Sequence, residues 1–247
     1  MPSLAIIGPG RVGLAVFDAV QAVASWSVTA PLSRNDDPAH NSSIAGADLV
    51  LITVPDRMIA PVSSSVPAGP VVAHASGALG LDVLAPHVRR GALHPLMTIP
   101  NRTIGSQRLR NRCSFAVEGH PLVTELADSL GGRTFRVDSH LRPLYHAAAV
   151  VASNHVVTLL AQVERLSALM GLDPALFAPL TAAAIEDVND VGPTLGLTGP
   201  AVRADWATIS GHLAALPPDE RDLYRTLALA AARLGGHEPP SDLRSTP

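Results

Sequence analysis

Over the first 140 positions the apolar residues fall into short continuous blocks, separated by stretches carrying Gly, Pro and polar side chains. Leu4–Ile7, Ala47–Val54, Val71–Ser76, Gly91–Leu96, Phe115–Glu118 and Thr134–Val137 have the length and branching of strands buried on both faces. Ser27–Leu32 is a weaker member of the series. Between them, helical periodicity runs over Leu14–Val23, Arg57–Val66, a stretch from Gly77 through Val88, and Pro121–Leu130. Strands alternating with helices predict an α/β fold: an amino-terminal Rossmann-like domain, residues 1–138, on a doubly wound parallel sheet.

The pattern changes at Asp138-Ser139. Leu141–Met170 is rich in Ala and Val and predicts one long helix ended by Gly171. Further helices are expected over about Pro174–Val188, Pro200–Leu216 and Asp219–Leu234, giving an all-α carboxyl-terminal domain, residues 139–236. Polar, Pro-rich residues 237–247 predict a flexible tail.

The first strand runs directly into Gly8-Pro9-Gly10-Arg11-Val12-Gly13 and then a helix. That is the dinucleotide-binding fingerprint in its proper setting. Gly8 permits the tight turn, Gly10 lets backbone approach a pyrophosphate, and Gly13 lets helix and strand pack closely, with free N–H groups aimed at the phosphates. After the second strand come Ser33 and Arg34. A hydroxyl beside a guanidinium suits a 2′-phosphate, which favours NADP over NAD. Asp36 and Asp37 read as the opening of a solvated loop. Val54 and Pro55 would cover the nicotinamide-ribose side, with Asp56 capping the next helix.

Composition narrows the chemistry. With 47% hydrophobic residues the 247-residue chain is globular, and a net charge of −3 without a basic cluster excludes nucleic acid as the expected partner. The first residues read as a core strand rather than a secretory signal, and no apolar run reads as long enough to span a membrane. A cytoplasmic protein is expected, with the single cysteine, Cys113, a core thiol. All 18 basic residues are Arg. Chemistry that needs a lysine side chain is therefore excluded. The scattered histidines predict no metal site.

Ligands of such sheets lie at the carboxyl ends of the strands, which brings Ser76 and His94 forward as candidates, each with a structural alternative: a helix cap for Ser76, a loop hydrogen bond for His94. On the long helix His146 and Ser153 share a face, and Asn154 lies near it. Three polar residues on an apolar helix predict a wet cleft, or else pairing across helices. Asn189 and Arg203, near two Gly-rich turns, are candidates for an anionic substrate; Arg203 could instead pair with Asp205 or Asp187.

The segments H-A-S-G at His74, L-H-P-L at Leu93, Y-H-A-A-A-V-V-A-S-N at Tyr145 and L-T-G-P-A-V-R-A-D at Leu197 together resemble the 6-phosphogluconate-dehydrogenase-like superfamily. Within it the chain is similar to a Rossmann-like oxidoreductase family whose helical half is a domain of unknown function, related to ketopantoate reductase and pyrroline-5-carboxylate reductase. The resemblance implies an NADP-binding domain joined to a helical domain. In ketopantoate reductase and the β-hydroxyacid dehydrogenases a catalytic lysine precedes an asparagine by four residues; here Val150 precedes Asn154. Proton donation would then pass to His146 or His94. Two functions follow: an NADP-dependent oxidoreductase reducing a small carboxylate-bearing carbonyl or imine in a cleft between the domains, or a non-catalytic dinucleotide-binding sensor or scaffold. A homodimer through the long helix is expected in either case.

Overall fold

The structure is a computed structural model that describes residues 1–244. Contacts divide it into two compact units, one from Met1 to His155 and one from Val156 onward. The first therefore runs past the expected boundary at 138 and takes in the opening turns of the long helix.

The first unit holds β1 (Ser3–Ile7), α1 (Arg11–Gln21), β2 (Ser27–Val28), α2 (Ser42–Ala45), β3 (Leu49–Ile52), α3 (Asp56–Ser65), β4 (Val71–His74), β5 (Arg90–Leu96), α4 (Arg102–Leu109), β6 (Ser114–Gly119), α5 (Leu122–Ser129), β7 (Arg133–Arg136) and α6 (Arg142–Val150). Seven strands form one sheet in the order β2-β1-β3-β4-β5-β6-β7. β1 to β5 are mutually parallel, but β6 joins β5 antiparallel, with His94 opposite Ala116. The wholly parallel sheet expected from the alternation is thus corrected at its last two strands, for strand-helix alternation does not reveal direction.

Alternate residues of the central strands serve opposite faces. Leu4, Ile6, Leu49 and Leu51 meet Ala15, Val16 and Ala19 of α1, with Cys113 and Phe115 in the same core. Ala5, Ile7, Val50 and Ile52 meet Ile44 of α2 and Ile59 of α3. Cys113 is fully buried, as expected of a core thiol.

Three local expectations change. β2 is only two residues long, because Pro31 has no N–H to give the ladder; Leu32 rejoins by a single bridge to Ile7. The helix expected from Gly77 to Val88 reduces to a 3₁₀ turn at Leu81–Leu84, between Gly80 and Pro86. α4 was not legible: its apolar and polar positions follow no clear helical stripe.

The second unit holds α7 (Val156–Met170), α8 (Ala178–Gly196), α9 (Trp206–Ala215), α10 (Pro218–Leu234) and α11 (Ser241–Arg244). α8 kinks at Gly192, whose φ of 80° only glycine adopts readily, just before Pro193. The helix expected from Pro200 is instead a 3₁₀ turn, Ala201–Arg203, followed by left-handed Ala204 and a new start capped by Asp205. Ala201, Ile209, Leu213 and Leu243 form a small core. Leu243 belongs to the segment expected as a tail; its burial gives residues 237–244 a place in the fold, and residues 245–247 lie outside the described residues.

The long helix is real but not uniform. α6 and α7 are joined by a π turn, Val151–His155. The run Ser139–Met170 has 32 residues and a mean hydropathy of 1.4 in its most apolar stretch, none of it buried in the single chain. By length and composition it reaches a membrane span, contrary to the sequence expectation, because isolated polar residues hardly lower the mean. A helix packed inside a soluble assembly passes the same test.

Candidate functional site

The glycine turn follows β1 at the carboxyl end of the sheet, beside Thr53 and Val54 after β3. Gly8 has φ of 113°, and the Thr53 hydroxyl donates to its carbonyl at 2.8 Å. A Cβ on Gly13 would stand 2.0 Å from that carbonyl oxygen, so only glycine lets α1 approach. A Cβ on Gly10 would meet nothing within 4 Å. Gly10 caps α1 with no side chain on the helix's free N–H groups, and no acidic residue lies in the first turn. Backbone donors at an open helix start fit a pyrophosphate.

At the end of the second strand the arrangement is less simple. Arg34 is exposed. Ser33 is engaged: its backbone N–H and hydroxyl donate to Asp36 Oδ2 at 2.7 and 2.9 Å. These bonds hold the Asp36 carboxyl below its ordinary range. Asp36 stays exposed in the turn beyond the strand, its carboxylate folded back on the strand end. Asp37 caps the next 3₁₀ turn through Ala39 N–H.

Asp56 does not cap α3. Pro55 holds the cap position, and Asp56 Oδ2 instead accepts from the Ser76 hydroxyl at 2.8 Å. Ser76 is spent on structure. Its Oγ accepts from the N–H groups of Ala78 and Leu79, its own N–H donates to His74 Nδ1, and its carbonyl accepts from Arg142 Nη1 at 3.3 Å. The structural alternative for Ser76, a cap on the turn after β4, is what the geometry displays.

Around this turn lies a cluster that sequence reading assembled only in part. Arg142, at the start of α6, is fully buried; its Nε donates to Glu118 at 3.0 Å, and Ser139 donates to the same carboxylate. Arg142 Nη2 and His146 Nδ1 are buried without a hydrogen-bond partner. Residues 142 and 146 are one turn apart on a helix, so both project toward the Ser76-Gly77 segment. A Cβ on Gly77 would lie 2.7 Å from His146 Nδ1 and 2.8 Å from His94 Nε2. His94 Nδ1 is 2.7 Å from the Tyr145 hydroxyl. The His94 and His146 rings meet edge to face, 5.9 Å apart.

Burial pushes His94 down to about 4, with His146 and Arg142 adding to the fall. His74 is likewise held at about 4 by burial and by Arg142. Both are neutral near pH 7. His94 therefore offers a neutral hydrogen bond rather than the imidazolium proton its ordinary range promised. Burial drives the Tyr145 hydroxyl up to about 12.

His94 and His146, expected from different parts of the sequence, are thus brought together. Ser153 and Asn154 fall in the π turn, where the Ser153 hydroxyl contacts the Ala149 carbonyl at 2.6 Å and Asn154 Oδ1 at 2.9 Å. Asn189 and Arg203 lie in the second unit, both exposed. Hydrogen bonds from the Thr208 hydroxyl and N–H hold the Asp205 carboxyl below its ordinary range, with Arg203 a lesser contributor. Tyr145, Arg142 and Glu118 were missed as site residues. Their only signal was polarity beside apolar residues, Arg142 and Tyr145 at the start of α6 and Glu118 near the end of β6.

No curated protein matches the chain. Several solved structures share its fold. A Bacteroides fragilis protein described as a candidate NADP oxidoreductase has a TM-score of 0.79 at 20% identity, over 94% of this chain and 98% of that one. A Plasmodium falciparum pyrroline carboxylate reductase with NADP bound gives 0.62 at 11% identity, over 95% and 98%. An imine reductase from Myxococcus stipitatus in complex with NADP+ gives 0.61 at 17% identity, over 95% and 93%. Residues 2–100 match the Rossmann-like domain, and residues 113–231 match a domain of unknown function, DUF2520. Together these two matches cover most of the chain, a Rossmann-like domain followed by the DUF2520 domain.

Proposed function

We propose that this protein is an NADP(H)-dependent oxidoreductase that reduces a small carbonyl or imine compound bearing a carboxylate. The observation that carries this reading is the uncapped start of α1 at Gly10, open to a pyrophosphate, in the same unit as the two histidines at Gly77. The shared fold of two NADP-bound reductases supports it.

Gly8, Gly10 and Gly13 shape the turn, and Pro9, Arg11 and Val12 line it. Val54 and Pro55 flank the nicotinamide side, and Arg34 meets the 2′-phosphate, with Ser33 joining only if Asp36 releases it. The bound cofactor supplies hydride. His146 delivers the proton, because its Nδ1 faces Gly77 without a protein partner. Neutral His94 donates a hydrogen bond at the same place. Ser153 and Asn154, in the same unit, are assigned to the substrate's polar groups.

Calorimetry should give tighter binding of NADPH than of NADH. Equal affinity overturns the assignment of Arg34. On a panel of small keto acids and cyclic imines, His146→Ala should lower NADPH oxidation by at least about a hundredfold, the usual worth of general acid catalysis. Nucleotide binding without turnover on any of them would leave the sensor reading standing.

We further propose that a second copy of this chain covers the helical unit. α8 buries none of its 19 residues: Leu180, Ile185 and Leu195 are exposed on it, as are Leu176 just before it and Val157 and Leu160 on α7. A groove of about 540 Å³ runs between them, lined by Leu160, Phe177, Ala178 and Ile185. So much exposed apolar surface marks an interface. Glu186, Asp187 and Asp190 on α8 favour protein over lipid as its cover. Sedimentation should give twice the 25.6 kDa chain mass, and Leu180→Glu should return it to one chain. A monomeric wild type that floats with lipid vesicles overturns the proposal.

A further inference from the structure

The two acidic residues that follow Ser33-Arg34 are used in opposite ways. Asp37 serves the 3₁₀ turn after it: Oδ1 accepts from Ala39 N–H at 3.0 Å, and Oδ2 lies 2.6 Å from His40 Nδ1. Asp36 turns back toward the strand. Its Oδ2 alone accepts from both the N–H and the hydroxyl of Ser33, at 2.7 and 2.9 Å. Arg34, next in the chain, is exposed and forms no hydrogen bond or ion pair among the described residues. The carboxylate has taken the serine donors and left the neighbouring guanidinium free. Those bonds keep it anionic at neutral pH.

This turn adjoins the glycine turn. Gly8 N–H donates to the Leu32 carbonyl at 2.9 Å and Leu32 bridges Ile7, so Ser33 is the first residue beyond the point where the two turns meet. In sheets of this kind the pyrophosphate sits on the first helix and the adenosine ribose reaches the end of the second strand. Two donors converging on one anionic oxygen, with a free guanidinium beside them, are what a 2′-phosphate requires. The oxygen that now fills the place belongs to the protein. Asp36 is exposed, so rotation of its side chain into water frees both donors without a change of backbone.

We propose that Asp36 is a built-in competitor of the cofactor's 2′-phosphate: its carboxylate holds the Ser33 donors in the free protein and is displaced when NADP(H) binds. It is a specificity-determining residue that lowers the affinity for NADPH and leaves that for NADH nearly untouched. This rests on the NADP reading and deepens it. The two anions exclude each other from the Ser33 donors, because the phosphate brings about two negative charges to the same spot. NADH carries a hydroxyl there and does not need the carboxylate to leave. Apparent affinity falls by the fraction of chains in which the site is free, so release in about one chain in ten weakens NADPH about tenfold.

Calorimetry of the full chain with each nucleotide tests this. Asp36→Ala should bind NADPH about tenfold tighter, and NADH within about twofold of wild type. Asp36→Asn keeps an oxygen acceptor without the charge and should fall between. Ser33→Ala, which removes one of the contested donors, should shrink the gain from Asp36→Ala. The Ser33 backbone amide, assigned in nitrogen-15 NMR by its loss in Ser33→Ala, reads the displacement itself: NADPH should shift it far more than NADH does. Affinity for NADPH unchanged or weaker in Asp36→Ala, an equal gain for NADH, or a Ser33 amide that NADPH leaves in place overturns the proposal. Loss of NADH binding in Asp36→Ala would make the carboxylate a ligand of the ribose hydroxyl and overturns it too. The two readings fail separately. If neither wild type nor Asp36→Ala binds NADPH, the NADP reading falls and the competitor with it; wild-type preference for NADPH with no gain in Asp36→Ala sinks only the competitor.

Discussion

The sheet unit and the helical unit differ in how they hide their apolar residues. In the first, β3 is buried at every position and helices close both faces of the sheet. In the second, α8 buries nothing, and among the described residues the core gathers around Ile209 and Leu213. Helices draw most of their stability from packing rather than propensity. The sheet unit therefore closes its own core, whereas the helical unit leaves the apolar residues of α8 exposed.

The comparison can be broken most forcefully at Gly13. Gly13→Val should cost more than about 4 kcal/mol and lose the folded sheet unit, since the new side chain would occupy the space of the Gly8 carbonyl. Gly10→Ala, in open space, should leave stability within about 1 kcal/mol while weakening NADPH. Urea unfolding with calorimetry on each variant separates the two effects; equal instability in both would mean that Gly10 is structural as well.

Next come two ion pairs, one in each unit. Arg142–Glu118 is buried at both ends, with Arg142 wholly enclosed, whereas the Arg165 side chain of Arg165–Glu220 is 54% exposed. Glu118→Ala strands a buried guanidinium and should cost about 3–5 kcal/mol. The third test is pH. His74 and His94 have folded values near 4 against an ordinary 6.5, so the unfolded chain binds more protons between them. Stability is complete above pH 6.5 and is lost as pH falls toward 4, by an amount of the order of 3 kcal/mol per histidine. A urea midpoint that stays level from pH 7 to 4.5 would contradict the burial of both rings. Smallest of all should be Glu220→Ala, a clear but lesser loss than Glu118→Ala, because water screens the cation left behind.

The fold was legible where burial writes a continuous message. β1, β3 and β4 announce themselves as unbroken apolar runs, and the glycine turn declares its helix. Strand direction was hidden, since β6 reads the same forwards or backwards. α4 was hidden because it carries Gly105 and two arginines among few apolar residues, and the early end of β2 because one proline cancels a strand that propensity favours. The site was legible in its separate parts. His94 and His146 stood out as polar residues in apolar surroundings. Their meeting over Gly77 is a tertiary fact, and Tyr145 looks like an ordinary core aromatic until His94 is placed beside it. Ser76 misled for the opposite reason: a serine after a strand looks available, while five hydrogen bonds consume it.

Cys113 has a practical consequence. It is the protein's one thiol, sealed in the core of the sheet unit and driven by burial up to about 11. A thiol reagent can reach it only when that core opens, and only the thiolate reacts. The rate at which the native chain takes up such a reagent is therefore a clock for the breathing of the nucleotide-binding half, readable without adding any probe to the sequence. Slowing of that clock by NADPH would report binding and rigidity in one measurement.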